Sequence, residues 1–228
     1  MKPSPDKEGV VLLHGLGRTR RSLLRLEARL AGLGYTTINR TYPSTRRSIE
    51  DLALGFLGGI LNGEVAGRYE KVHFVTHSLG GIIARRYLQD HPAPPGSRLV
   101  MLSPPNQGSE LAELMGGSRL FGWLVGPAGR AVAQGAAGPL GGLGRLDLEV
   151  GVIAGDRPRW SLFSRFFPGP HDGKISVERT RLPEMTDFLV APRGHTFIMN
   201  DPRVMAQVVF FLRHGRFERQ GPGAAAST

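Results

Sequence analysis

The sequence predicts an α/β domain with a mostly parallel sheet of about six strands and helices on both faces. Short, continuous apolar runs, such as Gly9-Val10-Val11-Leu12-Leu13 and Arg98-Leu99-Val100-Met101-Leu102, suit strands buried on both sides. Between such runs lie segments with leucines near helical spacing, as at Leu23, Leu24, Leu26 and Leu30. Glycines punctuate the junctions, as Gly32 and Gly34 do after that segment. A chain of 228 residues can bury one sizeable core, so one domain is the simplest organisation.

The elements follow in order. Gly9–Leu13 is a strand ending at His14-Gly15, and Thr19 to Ala31 reads as a helix. Tyr35-Thr36-Thr37-Ile38-Asn39 is β-branched and strand-like. Ser48-Ile49-Glu50-Asp51 is a capping-type start for a helix running to about Gly63. Lys71-Val72-His73-Phe74-Val75 is a strand, and Ile82 to Leu88 is a helix. Arg98–Leu102, Val150–Ala154 and Asp187–Val190 are further strands, and a helix from about Arg203 to Arg213 completes the domain. The α/β domain is thus expected over 9–214, with an N-terminal extension at 1–8 and a flexible tail at 215–228.

One region breaks the alternation. Residues 111–144 are rich in glycine, alanine and leucine, with Leu120, Phe121, Trp123, Leu124 and Val125 clustered. A structureless loop of that length would be unusual. An apolar excursion from the ligand-binding edge of a sheet reads as a lid, here over 110–147; a surface helical hairpin is the alternative.

Composition sets outer bounds. The chain has no cysteine, which excludes disulfides, thiol nucleophiles and thiolate metal sites. Its formal charge is +10, with a local cluster at Arg18, Arg20, Arg21, Arg25 and Arg29. No nucleic-acid motif or interleaved aromatics accompany the charge, so a solvated basic face is the preferred reading. No nucleic-acid partner is expected, while peripheral contact with anionic lipid stays open. The opening residues Met1 to Glu8 carry no apolar signal core, and no apolar stretch approaches a ~20-residue span. The expectation is a soluble, cytoplasmic protein.

Thr76-His77-Ser78-Leu79-Gly80-Gly81 joins a strand to a helix with a serine at the apex. That is the nucleophile-elbow arrangement, in which small residues make room for a tight turn. Gly80 and Gly81 fit it, and Thr76 departs from the usual glycine two positions before the serine. The alternative is a helix-capping serine between small residues. A serine hydroxyl needs a base, an orienting acid and an oxyanion site to act. Leu79 N–H, next after Ser78, is one oxyanion donor. His14-Gly15-Leu16-Gly17, after the first strand, offers Leu16 N–H as the other. His14 itself reads as structural, because a base comes late in this arrangement.

Together these segments resemble the α/β-hydrolases of the bacterial lipase and carboxylesterase kind. Leu102-Ser103-Pro104-Pro105-Asn106-Gln107-Gly108-Ser109 is also similar to the strand-Pro-x-x-Gly-Ser segment of bacterial lipases. The resemblance runs from about Val10 to about Phe211 and implies the α/β-hydrolase fold with a small apolar lid. It further implies the chain order serine, acid, histidine. His195, after the last strand and before the last helix, stands where the resemblance places the base. His91 and His214 are poorly placed, and His171 reads as a loop residue.

Two aspartates compete for the acid. Asp156 follows the strand ending Ile153-Ala154-Gly155. Asp172 lies in His171-Asp172-Gly173-Lys174-Ile175, an Asp-Gly segment of the kind the resemblance implies, where Gly173 permits a tight turn. Asp172 is preferred, and Asp156 is read as a loop anchor through Arg157 or Arg159. Trp160, Phe163, Phe166 and Phe167 in the insertion 157–170 suit an acyl pocket and packing equally.

The expected function is hydrolysis of a carboxylic ester with an apolar acyl group, through Ser78, His195 and Asp172, with no metal and no organic cofactor. Thioester cleavage, acyl transfer and a non-catalytic anion- or lipid-binding role on the same fold are the alternatives.

Overall fold

Alternate residues of each strand serve opposite faces of the sheet, so one strand contributes to two cores. Val11 and Leu13 of β1 (Glu8–Leu13) belong to one, and Val10 and Leu12 to the other. The computed structural model describes residues 8–158 and 164–219. The remaining strands are β2 (Thr36–Asn39), β3 (Lys71–His77), β4 (Arg98–Leu102), β5 (Glu149–Gly155) and β6 (Asp187–Ala191). All pair in parallel, in the spatial order β2-β1-β3-β4-β5-β6. The α/β fold with a parallel sheet of six strands is the one expected.

The helices are α1 (Leu24–Ala31), α2 (residues 51–65), α3 (Leu79–Leu88), α4 (Glu110–Met115), α5 (Arg119–Gln134) and α6 (Pro202–His214). Leu26 and Leu30 of α1 cover one face with Val204, Val208 and Phe211 of α6. Leu52 and Leu57 of α2 cover the other with Ile82 and Ile83 of α3. Each such fully buried side chain contributes about 1.5–3 kcal/mol of transfer free energy.

Local chemistry explains several boundaries. Ser48 Oγ accepts the Asp51 N–H at 3.0 Å, and Asp51 Oδ2 accepts the Ser48 N–H at 3.3 Å. That reciprocal cap starts α2 where the Ser48-Ile49-Glu50-Asp51 signal lies. α2 is then wound mostly as π-helix, over Asp51–Leu57 and Leu61–Val65, with an α-helical turn at Gly58–Ile60. Asp201 caps α6 by accepting the N–H groups of Arg203 and Val204, and Gly215 ends it in the left-handed region at φ 69°.

Three expectations are revised. The helix read from Thr19 begins as a 3-10 turn, Arg20–Leu23, before α1. Residues 215–219, read as the start of a flexible tail, are packed. Phe217 is buried against Phe211, and its N–H donates to Asp187 Oδ2 at 2.7 Å. β1 begins at Glu8, so the last residue of the expected N-terminal extension belongs to the sheet. Arg159, Trp160, Phe163 and the tail from 220 lie outside the described residues.

The sheet topology places the site. The chain passes from β1 to β2 on one side and then to β3 on the other. The reversal leaves a crevice beyond the C-terminal ends of β1 and β3, where open α/β sheets bind ligands. Leu13 pairs with Thr76 at those ends, so the loop after β1 and the turn after β3 are neighbours.

The cores enclose titratable rings. His14, His73 and His77 are buried, and burial is the leading cause that lowers each pKa. His73 is lowered to about 4, with Glu8 opposing the shift. Lowered folded-state values mean that the unfolded chain takes up protons first on acidification. Their stabilising contribution is therefore complete above the unfolded value of about 6.5 and is lost below it. The midpoint of thermal unfolding should fall steadily from pH about 6.5 to about 4.5, before most carboxylates titrate. Scanning calorimetry across that range checks this, and a flat midpoint would contradict it.

Candidate active site

β3 ends in a turn with Ser78 at its apex. Ser78 adopts φ 52°, ψ −123°, a region sparsely populated for a residue with a side chain. Such strain costs on the order of 1–3 kcal/mol and must be held by its surroundings. Ser78 N–H donates to Leu102 O of β4 at 2.9 Å, and Ser78 O accepts from Gly81 N–H at 2.9 Å. Two glycines make the turn possible. A Cβ on Gly80 would collide with the Leu13 carbonyl oxygen and stand 2.9 Å from His14 O. One on Gly81 would stand 2.6 Å from Met101 Cε and 3.2 Å from Thr76 Oγ1. Thr76 is accommodated because Gly81 leaves room for its γ-oxygen, which also donates to Val100 O at 3.4 Å.

Three distant segments meet at Ser78. His195 Nε2 lies 3.0 Å from Ser78 Oγ, and His195 Nδ1 lies 2.7 Å from Asp172 Oδ2. A carboxylate only accepts, so Nδ1 carries the proton and Nε2 is left to accept from the serine hydroxyl. His195 N–H also donates to Asp172 O at 2.9 Å, which locks the two loops together. Asp172 Oδ1 accepts the N–H groups of Lys174 and Ile175, both at 2.9 Å, in a turn completed by Gly173 at φ 99°. Burial alone would raise the Asp172 pKa. The His195 ring and the two amides outweigh it and hold the carboxyl below its usual value.

Asp156 is not part of this chain. Its N–H donates to Ala191 O at 3.2 Å, and among the described residues its carboxylate has no bond to His195. The structure brings Ser78, His195 and Asp172 together and leaves Asp156 outside. Gly155 allows the convergence: a Cβ there would collide with Arg193 O and stand 2.9 Å from Asp172 Cβ.

The loop after β1 completes the frame. Leu16 sits between Gly15 and Gly17, and Gly17, at φ 65°, donates its N–H to Ser44 Oγ at 3.0 Å. A Cβ on Gly15 would stand 3.2 Å from Ser78 Cβ, so the loop presses directly on the turn. His14 lies beneath it, stacked on Tyr42 at 3.9 Å, and its Nε2 accepts the Tyr42 N–H. Tyr42 OH donates to His14 O. Leu79 opens α3, so its N–H has no carbonyl one turn earlier to bond. Leu16 and Leu79 both border the pocket above Ser78.

That pocket is largely apolar, walled by Leu111, Ala112, Val125 and Val132 of α4 and α5 and by Ile175. α5 kinks at Gly126, φ 69°, ahead of Pro127, and a Cβ at Gly126 would collide with Thr45 O. Trp123 and Leu124 stand exposed, Trp123 at 79%. Phe166 and Phe167 do not line the pocket: Phe167 stacks on His171 at 3.9 Å, and the Arg165 guanidinium lies over Phe166. His91 stacks on Tyr87, and His214 packs against Phe210 with the rings tilted by 44°. His171 is held by Ser164 Oγ and the Gly173 N–H.

Sequence reasoning gave no role to His77 or Lys174 and read Arg18 only as part of a basic face. His77 Nε2–H donates to His195 O at 3.0 Å and so fixes the backbone of that loop. Burial, with the charge His195 can carry, holds His77 far below the usual histidine range, so the ring stays neutral. Arg18 donates to Thr196 O at 3.2 Å and, with Lys174, borders the pocket. Only the adjacency of His77 to Ser78 could have drawn attention to it.

The parallel six-stranded sheet with helices on its faces is the α/β-hydrolase fold, and solved structures share that fold. The mature lipase BlEst2 of Bacillus licheniformis superposes with a TM-score of 0.70 at 20% identity, covering 92% of this chain and 94% of that one. Phospholipase PlaB of Legionella pneumophila gives 0.70 at 18% identity, over 92% of this chain and 59% of that one. A lipase-esterase related protein of Clostridium acetobutylicum gives 0.62 at 16%, over 92% and 96%. No protein-family model matches the sequence, and no curated protein is significantly similar to it.

Gly80→Ala should cost more than about 2 kcal/mol of unfolding free energy, because the obstructing atom is backbone and cannot move aside cheaply. Gly55→Ala, where a Cβ meets nothing within 4 Å, should be neutral or stabilising. Urea denaturation of the two variants makes the comparison.

Proposed function

We propose that the protein is a serine carboxylic-ester hydrolase that works through an acyl-enzyme. The observation that carries this reading is the hydrogen-bonded sequence Ser78 Oγ, His195, Asp172 on a strained turn beneath an apolar pocket. Ser78 Oγ attacks the ester carbonyl while His195 Nε2 takes its proton. Asp172 keeps the proton on Nδ1 and stabilises the imidazolium as it forms. The Leu16 and Leu79 N–H groups receive the oxyanion, and the N-terminal end of α3 favours the negative charge. His195 then protonates the departing alcohol. Water, deprotonated by the same imidazole, releases the acid and restores Ser78.

His77 acts as a positioning residue, because its bond to His195 O holds the loop that carries the base. α4 and α5 serve as the cover of the acyl group, and the apolar walls they supply suit a hydrocarbon chain. The fold shared with lipases and esterases supports the reading as a likeness of fold. No helix among the described residues is long and apolar enough to cross a membrane.

Hydrolysis of p-nitrophenyl esters of graded chain length tests the assignment. Ser78→Ala should lower kcat/KM at least about 1,000-fold with circular dichroism unchanged. Asp172→Asn should lower it about 100-fold or more, while Asp156→Asn stays within about threefold. A fully active Ser78→Ala protein, or the reverse order of the two aspartates, would sink the mechanism.

A further inference from the structure

Two cations share the pocket with Ser78 and His195. Arg18 follows the loop after β1, and one of its Nη2–H groups is used on Thr196 O. Lys174 stands exposed at the pocket border, two residues after Asp172. No carboxylate forms a salt bridge with either of them among the described residues, although most acidic side chains elsewhere are paired with arginine or lysine. The two cations feel each other. Partial loss of water lowers the Lys174 pKa, Asp172 opposes the shift, and the Arg18 charge lowers it further. Like charges held around one cavity repel until an anion enters between them, and their field concentrates anions at the mouth.

We infer that the substrate carries an anionic group on its alcohol half, bound by Arg18 and Lys174. The inference rests on the ester-hydrolase reading. Its location follows from the order of proton transfers. The alcohol leaves towards His195, which delivers its proton; Arg18 belongs to that side, and Lys174 stands between it and the start of α4, where its carbonyl accepts from Ser109 Oγ and Leu111 N–H. Arg18 is bonded to the residue after His195, and Lys174 sits on the loop of Asp172. The acyl half is left to the apolar walls. A phosphate or a carboxylate on the alcohol meets the same chemistry: guanidinium donors left over from Thr196 and an ammonium with three donors.

The test compares three esters of one acyl chain, each below its micellar concentration, with the full chain as enzyme. They are octanoylglycerol phosphate, the octanoyl ester of glycolate, and neutral octanoylglycerol. The expected result is a kcat/KM at least about tenfold higher for one or both anionic esters than for the neutral one. Whichever anionic ester leads assigns the anion as phosphate or carboxylate. Lys174→Gln should reduce the anionic-to-neutral ratio about three- to tenfold, and Lys174→Arg should retain it. Arg18→Gln should reduce the ratio as well, and added salt should shrink it in the native enzyme. Turnover of all three esters at equal kcat/KM, or a ratio unmoved in both glutamine variants, overturns the inference and leaves ester hydrolysis standing. Failure to turn over any of the three overturns the hydrolase reading, and this inference with it.

Discussion

The site depends on how closely two backbones approach at the ends of β1 and β3. Gly80 lies against the carbonyls of Leu13 and His14 with no space for a Cβ, and Gly15 presses in turn on Ser78. That contact sets the height of the Ser78 turn above the sheet, and it sets Leu16 beside Leu79. The strained backbone of Ser78 is tolerated because β4 on one side and the loop after β1 on the other hold it in place. A looser junction would let the serine relax into ordinary helix-capping geometry, and the geometry of the site would go with it.

Around that junction the other loops are braced rather than merely adjacent. Ser44, Tyr42 and Thr45 belong to one loop. Ser44 and Tyr42 hold Gly17 and the His14 carbonyl, and the Thr45 carbonyl lies against Gly126 at the kink of α5. His77 and Asp172 both bind the backbone of His195. A buried carboxylate such as Asp172 is costly unless its lone pairs are used. Here the imidazole and two amides use them, so the charge that orients His195 is also what joins the two loops. The neutral His77 beside it adds no competing charge.

Much of this was legible in the sequence, for a physical reason. Strands buried on both faces must be continuously apolar, so β1, β3, β4 and β5 stand out. The turn at Ser78 needs Gly80 and Gly81, and a reader can see them. The order of Ser78, Asp172 and His195 follows from the resemblance, and the Asp172-Gly173 pair separates Asp172 from Asp156. What escaped is what depends on contacts between distant parts of the chain. Arg18 meets Thr196 across 178 residues, and His77 meets His195 across 118. Neither leaves a periodic mark. The π-helical winding of α2 has no local signature beyond scattered glycines. Phe217 looked like tail because the helix before it ends in Gly215, yet it folds back onto Phe211.

The fold is shared with lipases, esterases and a phospholipase at 16–20% identity, where likeness extends to the fold alone. The chemistry must therefore be argued from Ser78, His195 and Asp172 themselves. The most direct measurement is labelling of the native protein with a fluorophosphonate, followed by peptide mass analysis. The account predicts one adduct per chain, located on Ser78. No adduct, or an adduct on another residue with Ser78 unmodified, would contradict it.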